Sequence, residues 1–369
     1  MNNKYNYSSL APFASKDENF LGRKYSYSKS LYRGEFQRDR DRVIHCNSFR
    51  RLKFKTQVFV YYEGDHFRTR LTHSLEVSQI ARSVARALNL NEDLCEVLSL
   101  AHDLGHTPFG HAGETALSNC MKHESFDHNI QSLRILILLE DSYREHKGLN
   151  LSINCIDGLL KHNGPISNLE IYRNQLPEIL NYDLNFEKFG SLEAQISSLS
   201  DDIAYNCHDI DDGLRANLFT IDDLFELKFI NEFFSRNKKI NKNEIVRNLL
   251  NNLATDLIEN SLNKIKIDKL ETINDVYNSN ENIINFSEKV KNGLDEIRNF
   301  LKHKMYNHDS IKKWNLKSEK IIESLYNYFL KNYIKIPNPN SSFSKDRNIA
   351  DYISGMTDKF ALNIYKNIN

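Results

Sequence analysis

The sequence predicts an all-α protein, and two observations predict it, with one short exception. Apolar residues recur at helical spacing in segment after segment, as Leu71, Leu75, Ile80, Val84 and Leu88 do. N-cap residues open such segments and glycine or proline closes them: Asn91 precedes Glu92 and Asp93, and Gly164–Pro165 ends the run from Ile153. A strand-like run stands at Val58 to Tyr62, where the Glu-Gly-Asp-His that follows predicts a short hairpin.

Taken in order, residues 1–34 are polar, with scattered tyrosines and no period, and read as a loop-rich arm that wraps a neighbour or stays mobile. Basic residues concentrate next: Arg38, Arg40, Arg42, Arg50, Arg51, Lys53 and Lys55 alternate with Val43, Phe49, Leu52 and Phe54. These predict short helical turns with cations outside, either a solvated face partnered by Asp39 and Asp41 or a surface for phosphate oxygens. A long helix starts near Arg70 with His73 in its first turn. A second starts after Asn91, buries Leu94, Val97, Leu98 and Ala101, and ends on His102 and Asp103. Gly105 and Pro108 stop it, and His111 and Glu114 share one face of a third. Residues 125–140 and 153–165 predict two more helices, followed by a linker to about residue 186. The helix over 191–214 puts Asp201, Tyr205 and His208 on one polar stripe with Asp209 beside it. Residues 237–285 are rich in Lys, Asn and Ile and point to no chemistry. Helical periodicity returns over 347–365, where Met356 and Phe360 predict packing against the core.

Lys+Arg and Asp+Glu both total 49, a balance that argues against a general nucleic-acid binder. The five cysteines (46, 95, 120, 155 and 207) form no CxxC pair. No apolar run reaches membrane-spanning length, and the start of the chain lacks the apolar core of a signal peptide. A cytoplasmic protein with reduced thiols and no membrane partner is the expectation.

The stretch Ala101–Glu114, AHDLGHTPFGHAGE, concentrates three histidines and two carboxylates among residues that bend the backbone. Adjacent His102 and Asp103 can offer a nitrogen and an oxygen to one divalent ion, and further ligands must come from elsewhere. His73 and Asp201 complete a set of two imidazoles and two carboxylates. Such a set suits Mn²⁺, Mg²⁺, Fe²⁺, Co²⁺ or Ni²⁺ better than a structural zinc site, which would use thiolates. The remaining histidines (45, 66, 123, 146, 162, 303 and 308) read as surface, capping or packing residues, and Asp211 and Asp212 as caps or ion-pair partners.

The H…HD…D order resembles the HD-domain phosphohydrolases, whose core is a helical bundle. The segments FQRDRDRVIHCNSFRRLKFKTQVF, EGDHFRTRLTHSLEVSQIAR, AHDLGHTPFGHAGE, SDDIAYNCHDIDDGLRA and DYISGMTDKFA are similar to the bacterial deoxyguanosinetriphosphate triphosphohydrolase-like family. The likeness is close over about 35–218 and returns near 347. It implies an arm over 1–34, an HD-domain catalytic core over 35–220 and a helical C-terminal region over 221–369 that packs on the core. By the same resemblance His73, His102, Asp103 and Asp201, rather than Asp202, are the metal ligands. His111 is the catalytic histidine, Glu114 its acidic partner, and His106 faces the phosphates. Gln57, Arg70 and His128 contact substrate, while Tyr205 and Asp209 recognise the deoxyribose.

The reaction so implied is metal-dependent hydrolysis of a deoxynucleoside triphosphate, dGTP or several dNTPs, to deoxynucleoside and tripolyphosphate. Two other readings stay open: an HD phosphohydrolase acting on a different nucleotide, and a nucleotide sensor or single-stranded nucleic-acid binder. The resemblance further implies a homo-oligomer, with an activating dNTP and single-stranded nucleic acid as additional candidate partners.

Overall fold

A computed structural model describes residues 10–59, 67–234 and 241–368. Among them seventeen α-helices are joined by turns and longer loops, with no strand and two isolated bridges, Arg23 with Ser152 and Thr56 with Thr69. The first helices are α1 (Glu35–His45), α2 (Asn47–Arg51), α3 (Arg70–Ala87), α4 (Glu92–Ala101), α5 (Gly110–Cys120) and α6 (His128–Arg134). Then come α7 (Ile153–Leu160), α8 (Leu169–Gln175), α9 (Leu192–Arg215), α10 (Ile221–Phe225), α11 (Lys228–Phe234) and α12 (Lys242–Ile267). The last are α13 (Ile273–Tyr277), α14 (Glu288–Leu301), α15 (Asp309–Lys331), α16 (Lys345–Ser354) and α17 (Asp358–Ile368).

The caps explain the boundaries. Thr69, Asn91 and Ser191 each accept a backbone N–H three residues on, opening α3, α4 and α9. Three apolar clusters hold the helices together. Val77, Ile80 and Val84 of α3 meet Ile196 and Ile203 of α9, Leu249 and Leu253 of α12, and Ile297 of α14. Leu94, Val97 and Leu98 of α4 pack with Val43 of α1, Leu133 of α6 and Ile156 of α7. Leu117 of α5 packs with Leu325 of α15, Ile349 and Ile353 of α16, and Ala361 of α17. The C-terminal helices therefore bear directly on α5 and α9, the helices nearest the histidine-rich stretch.

Several expectations are modified. Residues 10–34 fold back on their own chain: Ser15 donates twice to Glu193 of α9, and Arg23 is paired with Glu35 and the fully buried Asp39. The predicted linker to residue 186 contains α8 and a 3₁₀ turn over Pro177–Asn181. Helix α6 ends in a π turn over Ile135–Leu139. The hairpin expected around Val58–Tyr62 falls largely on residues 60–66, outside the described residues, as does His66.

The basic segment is also different in part: Arg50 and Lys53 stay exposed as expected, but its other cations are largely spent on partners within the molecule. Arg38 is buried under the Tyr27 ring, Arg40 pairs with Asp93 and Glu96, and Arg42 donates to the carbonyls of Leu149 and Asn150. Lys55 is 1% exposed and donates to the carbonyls of His106 and Ser354. Guanidinium and ammonium groups solvate carbonyl ends as well as phosphates, so local composition alone does not say which way they face. At the far end, Met356 is buried as expected, but Phe360 is 47% exposed and does not pack.

Candidate metal centre and active site

Two helix ends and the middle of α9 converge on one point. His73 sits in the first turn of α3, and His102 and Asp103 occupy the 3₁₀ turn His102–Gly105 that closes α4. Gly105 is required there, since a Cβ would lie 2.1 Å from the His128 carbonyl oxygen of α6. Ligand atoms of His73, His102 and Asp103 all lie within 4.8 Å of one another. Asp201 brings Oδ1 to 2.8 Å from His73 Nε2 and 3.5 Å from His102 Nε2. Asp202 faces elsewhere, toward Arg298 Nη2 at 2.5 Å and the Asn206 amide.

The electrostatics suit a cation. His102 Nδ1 donates to the Ser99 carbonyl at 2.7 Å, which leaves the Nε2 lone pair facing the cluster, buried and without a hydrogen-bond partner. Burial pushes the His102 pKa down, but Asp103 and Asp201 outweigh it and bring it to about 9. Burial works against ionising both carboxylates, yet Arg70 with His102 holds Asp103 well below its usual range, and His102 with His162 and His73 does the same for Asp201. One divalent ion would take the place of the proton that a pKa of about 9 puts on His102 Nε2, engage its lone pair and satisfy both carboxylates, so the residues present fit such a group.

The surrounding residues complete the arrangement. Arg70 Nη1 donates to Asp103 Oδ2 at 2.9 Å, and His106 Nε2 lies 3.1 Å from Asp103 Oδ1. Arg70 is 1% exposed, and its Nε and Nη2 have no hydrogen-bond partner, nor does Gln57 Oε1. Buried guanidinium donors left unpaired are costly unless a ligand meets them. Burial first, then Arg70 and His128, push the His106 pKa well below the ordinary imidazole value, so this ring is neutral.

Glu114 of α5 gathers the other two imidazoles. It takes His128 Nδ1 at 2.8 Å and the His128 backbone N–H at 2.9 Å, and His111 Nδ1 lies 3.4 Å away. Burial raises its pKa, but these two histidines together drive it far below the carboxylate range. With Nδ1 on Glu114, each ring presents Nε2 outward. His128 stacks on His106 at 3.9 Å, and the His111 side chain is 68% exposed.

At the other end of the stripe on α9, the Tyr205 ring stacks against Tyr306 at 6.3 Å, and the Tyr306 hydroxyl bonds Asp209 Oδ2. Asp209 is 1% exposed, and burial pushes its pKa up to about 7 against the hydrogen bond from Tyr306.

Four residues to which sequence reasoning gave no role in the chemistry stand at this site. Tyr306 arrives on a π turn, Lys302–Tyr306, at the end of α14, and helical periodicity does not reveal such a turn. Arg298 of α14 pairs with Asp202. His162 stacks on His102 at 5.3 Å with Nε2 3.6 Å from Asp201 Oδ2, so it is not a plain helix-end residue. His208 places Nδ1 3.5 Å from His73 Nδ1 and Nε2 3.3 Å from Glu76, and Arg68 bridges Glu76 to Asp211 and Asp212. The ion pairs expected of those two aspartates are thus present.

Comparison with known proteins places these features in a family. The HD domain matches residues 70–206, and a phosphohydrolase-associated domain matches 284–367. A deoxyguanosinetriphosphate triphosphohydrolase-like protein of Pelagibacter ubique is 50% identical, over 98% of this chain and all of its own length. Proteins of the same description from Rickettsia bellii and Rickettsia prowazekii are 44% and 43% identical, each over 97% of this chain and 98% of their own. A solved structure, a hypothetical protein from Aquifex aeolicus, aligns over 83% of this chain and 80% of its own at 18% identity, with a TM-score of 0.30. On the strength of its near full-length relatives, the chain belongs to the deoxyguanosinetriphosphate triphosphohydrolase-like family of HD-domain proteins.

Proposed function

We propose that this nucleotide phosphohydrolase cleaves deoxynucleoside triphosphates to deoxynucleoside and tripolyphosphate. The observation that carries the reading is the adjacency of two units: a His/Asp cluster suited to a divalent ion, and an imidazole pair oriented by Glu114, joined through the Asp103–His106 contact. His73, His102, Asp103 and Asp201 would hold the ion, which supplies Lewis-acid polarisation of a phosphoryl oxygen.

The chain's own residues do the rest. Arg70 offers its unpaired Nε–H and Nη2–H to the phosphate oxygens, replacing the general basic surface as the main source of positive charge. Gln57 and His128 contact the triphosphate beside it. His106 keeps Asp103 in place through Nε2 and borders the phosphates with its other face. Water attacks the α-phosphorus and loses a proton to solvent, the bond from phosphorus to the 5′-oxygen breaks, and His111 delivers a proton to that oxygen from Nε2 while Glu114 orients the ring, solvent then restoring the proton on His111. Tyr205 walls the sugar, and Asp209 accepts from the 3′-hydroxyl in place of the Tyr306 hydroxyl it now holds.

The test is a product assay on the purified protein with Mn²⁺, each dNTP alone and all four mixed, resolved by chromatography. Deoxynucleoside with tripolyphosphate is the expected result, and turnover only in the mixture would reveal nucleotide activation. Pyrophosphate or orthophosphate would move the chain to another HD chemistry. No turnover with bound metal would favour a sensor.

A further inference from the structure

The turn from His106 to Gly110 delivers both His106 and His111, yet its own backbone is unfavourable. Phe109 has φ 65° and ψ 21°, the left-handed region that a bulky residue seldom occupies. Gly110 follows at φ 61°, and a Cβ there would come within 3.3 Å of Arg70 Nη2 and 3.2 Å of the Gln57 carbonyl oxygen. The turn therefore lies hard against the two residues assigned to the phosphates, and something must hold it there.

Two buried side chains do so. Asp358, the first residue of α17, is fully buried and accepts the Phe109 N–H on Oδ1 at 3.1 Å and the Thr56 N–H on Oδ2 at 3.0 Å. Lys55 donates from Nζ to the His106 carbonyl and, at 2.7 Å, to the Ser354 carbonyl at the end of α16. One carboxylate thus ties the turn to the Thr56–Gln57 segment, and one buried amino group ties the turn to the C-terminal helices. Neither side chain is among the groups placed on the ion, the nucleotide or the imidazole pair.

We infer that Asp358 and Lys55 are positioning residues: a clamp that sets His106, His111 and Gln57 in register and makes α16 and α17 a working part of the active site. The catalytic consequence rests on the dNTP reading above, whereas the clamp itself can be tested without it.

The experiment compares full-length Asp358→Ala and Asp358→Asn with the wild type by hydrogen exchange and by Mn²⁺-supported turnover. Asn keeps one carbonyl acceptor and can serve one of the two N–H groups. In Asp358→Ala, amides over 106–111 should exchange at least about tenfold faster while α3 and α9 keep wild-type protection, and Mn²⁺ affinity should be unchanged. Turnover should fall about a hundredfold, mostly in kcat, with Asn between Ala and wild type. Arg347→Lys serves as the control, because Arg347 docks α16 through Glu124 and the Ser125 carbonyl without touching the turn. Exchange over 106–111 at wild-type rates in both Asp358 variants would overturn the clamp, and so would an equal loss in Arg347→Lys. Should Asp358→Ala fail to fold, Asp358→Asn decides by the same two readouts. A wild type that turns over no dNTP would remove the proposed function but leave the exchange result to judge the clamp.

Discussion

The two halves of this site are built differently. The half proposed to hold the ion draws His73, His102, Asp103 and Asp201 from α3, from the turn closing α4 and from α9, whose apolar faces are packed into two of the core clusters. The half carrying His106 and His111 hangs on a left-handed turn secured by side-chain contacts from distant segments. Helix packing holds the first half, and a few polar contacts hold the second. A site can therefore keep its affinity for the ion and lose its chemistry, or lose both together.

The largest effect should come from breaking the first half. His102→Ala removes the buried lone pair and should abolish stoichiometric Mn²⁺ binding, with turnover falling by about a thousandfold or more. Metal analysis and the product assay read this directly. His111→Ala is its counterpart: Mn²⁺ should stay bound while turnover falls at least about a hundredfold. Metal loss in His111→Ala would mean that the halves are not separable.

A smaller effect sharpens the boundary. His208 sits behind His73, where it can accept from Nδ1–H and pass the contact on to Glu76 and Arg68. Truncation to His208→Ala should weaken Mn²⁺ roughly tenfold to a hundredfold by freeing the His73 ring, and calorimetric titration would show it. Unchanged affinity would mean that packing alone orients His73.

The smallest effect is a pH dependence in the clamp half. Burial, then Arg51 and Arg70, lower the Lys55 pKa from 10.5 to about 7. Between those values the unfolded chain holds the proton and the folded chain does not, so rising pH favours the folded state across that window. A neutral amine still has N–H donors for both carbonyls. The stability of wild type relative to Lys55→Met should therefore grow from pH 7 toward pH 10 in urea titrations. A pH-independent difference would place the charge on Lys55 throughout.

The same division explains what the sequence made legible. His73, His102–Asp103 and Asp201 are visible because helical periodicity and caps fix where such residues fall, and α3, α4 and α9 begin where Thr69, Asn91 and Ser191 cap them. His111 and Glu114 are visible for the same reason, being one turn apart on α5. Asp358 is not, since its role depends on an approach between residues 249 apart that no local pattern encodes. Tyr306 is displaced by a π turn, and His162 lies just past the end of α7, where periodicity no longer sets direction. The basic segment misleads because charge content is local while its partners, the carbonyls of Leu149, Asn150 and Ser354, are remote.

The separation of 299 residues between Lys55 and Ser354 has a consequence for how the protein fails on warming. Helices α16 and α17 contribute no residue to the His/Asp cluster, so their detachment would leave α3, α4 and α9 packed and the helical signal nearly intact. The turn would relax once Asp358 left with α17 and Lys55, still on the His106 carbonyl, lost the Ser354 carbonyl. Inactivation would then run ahead of melting, and the earliest heat-damaged species would be a folded, ion-loaded protein that no longer turns over.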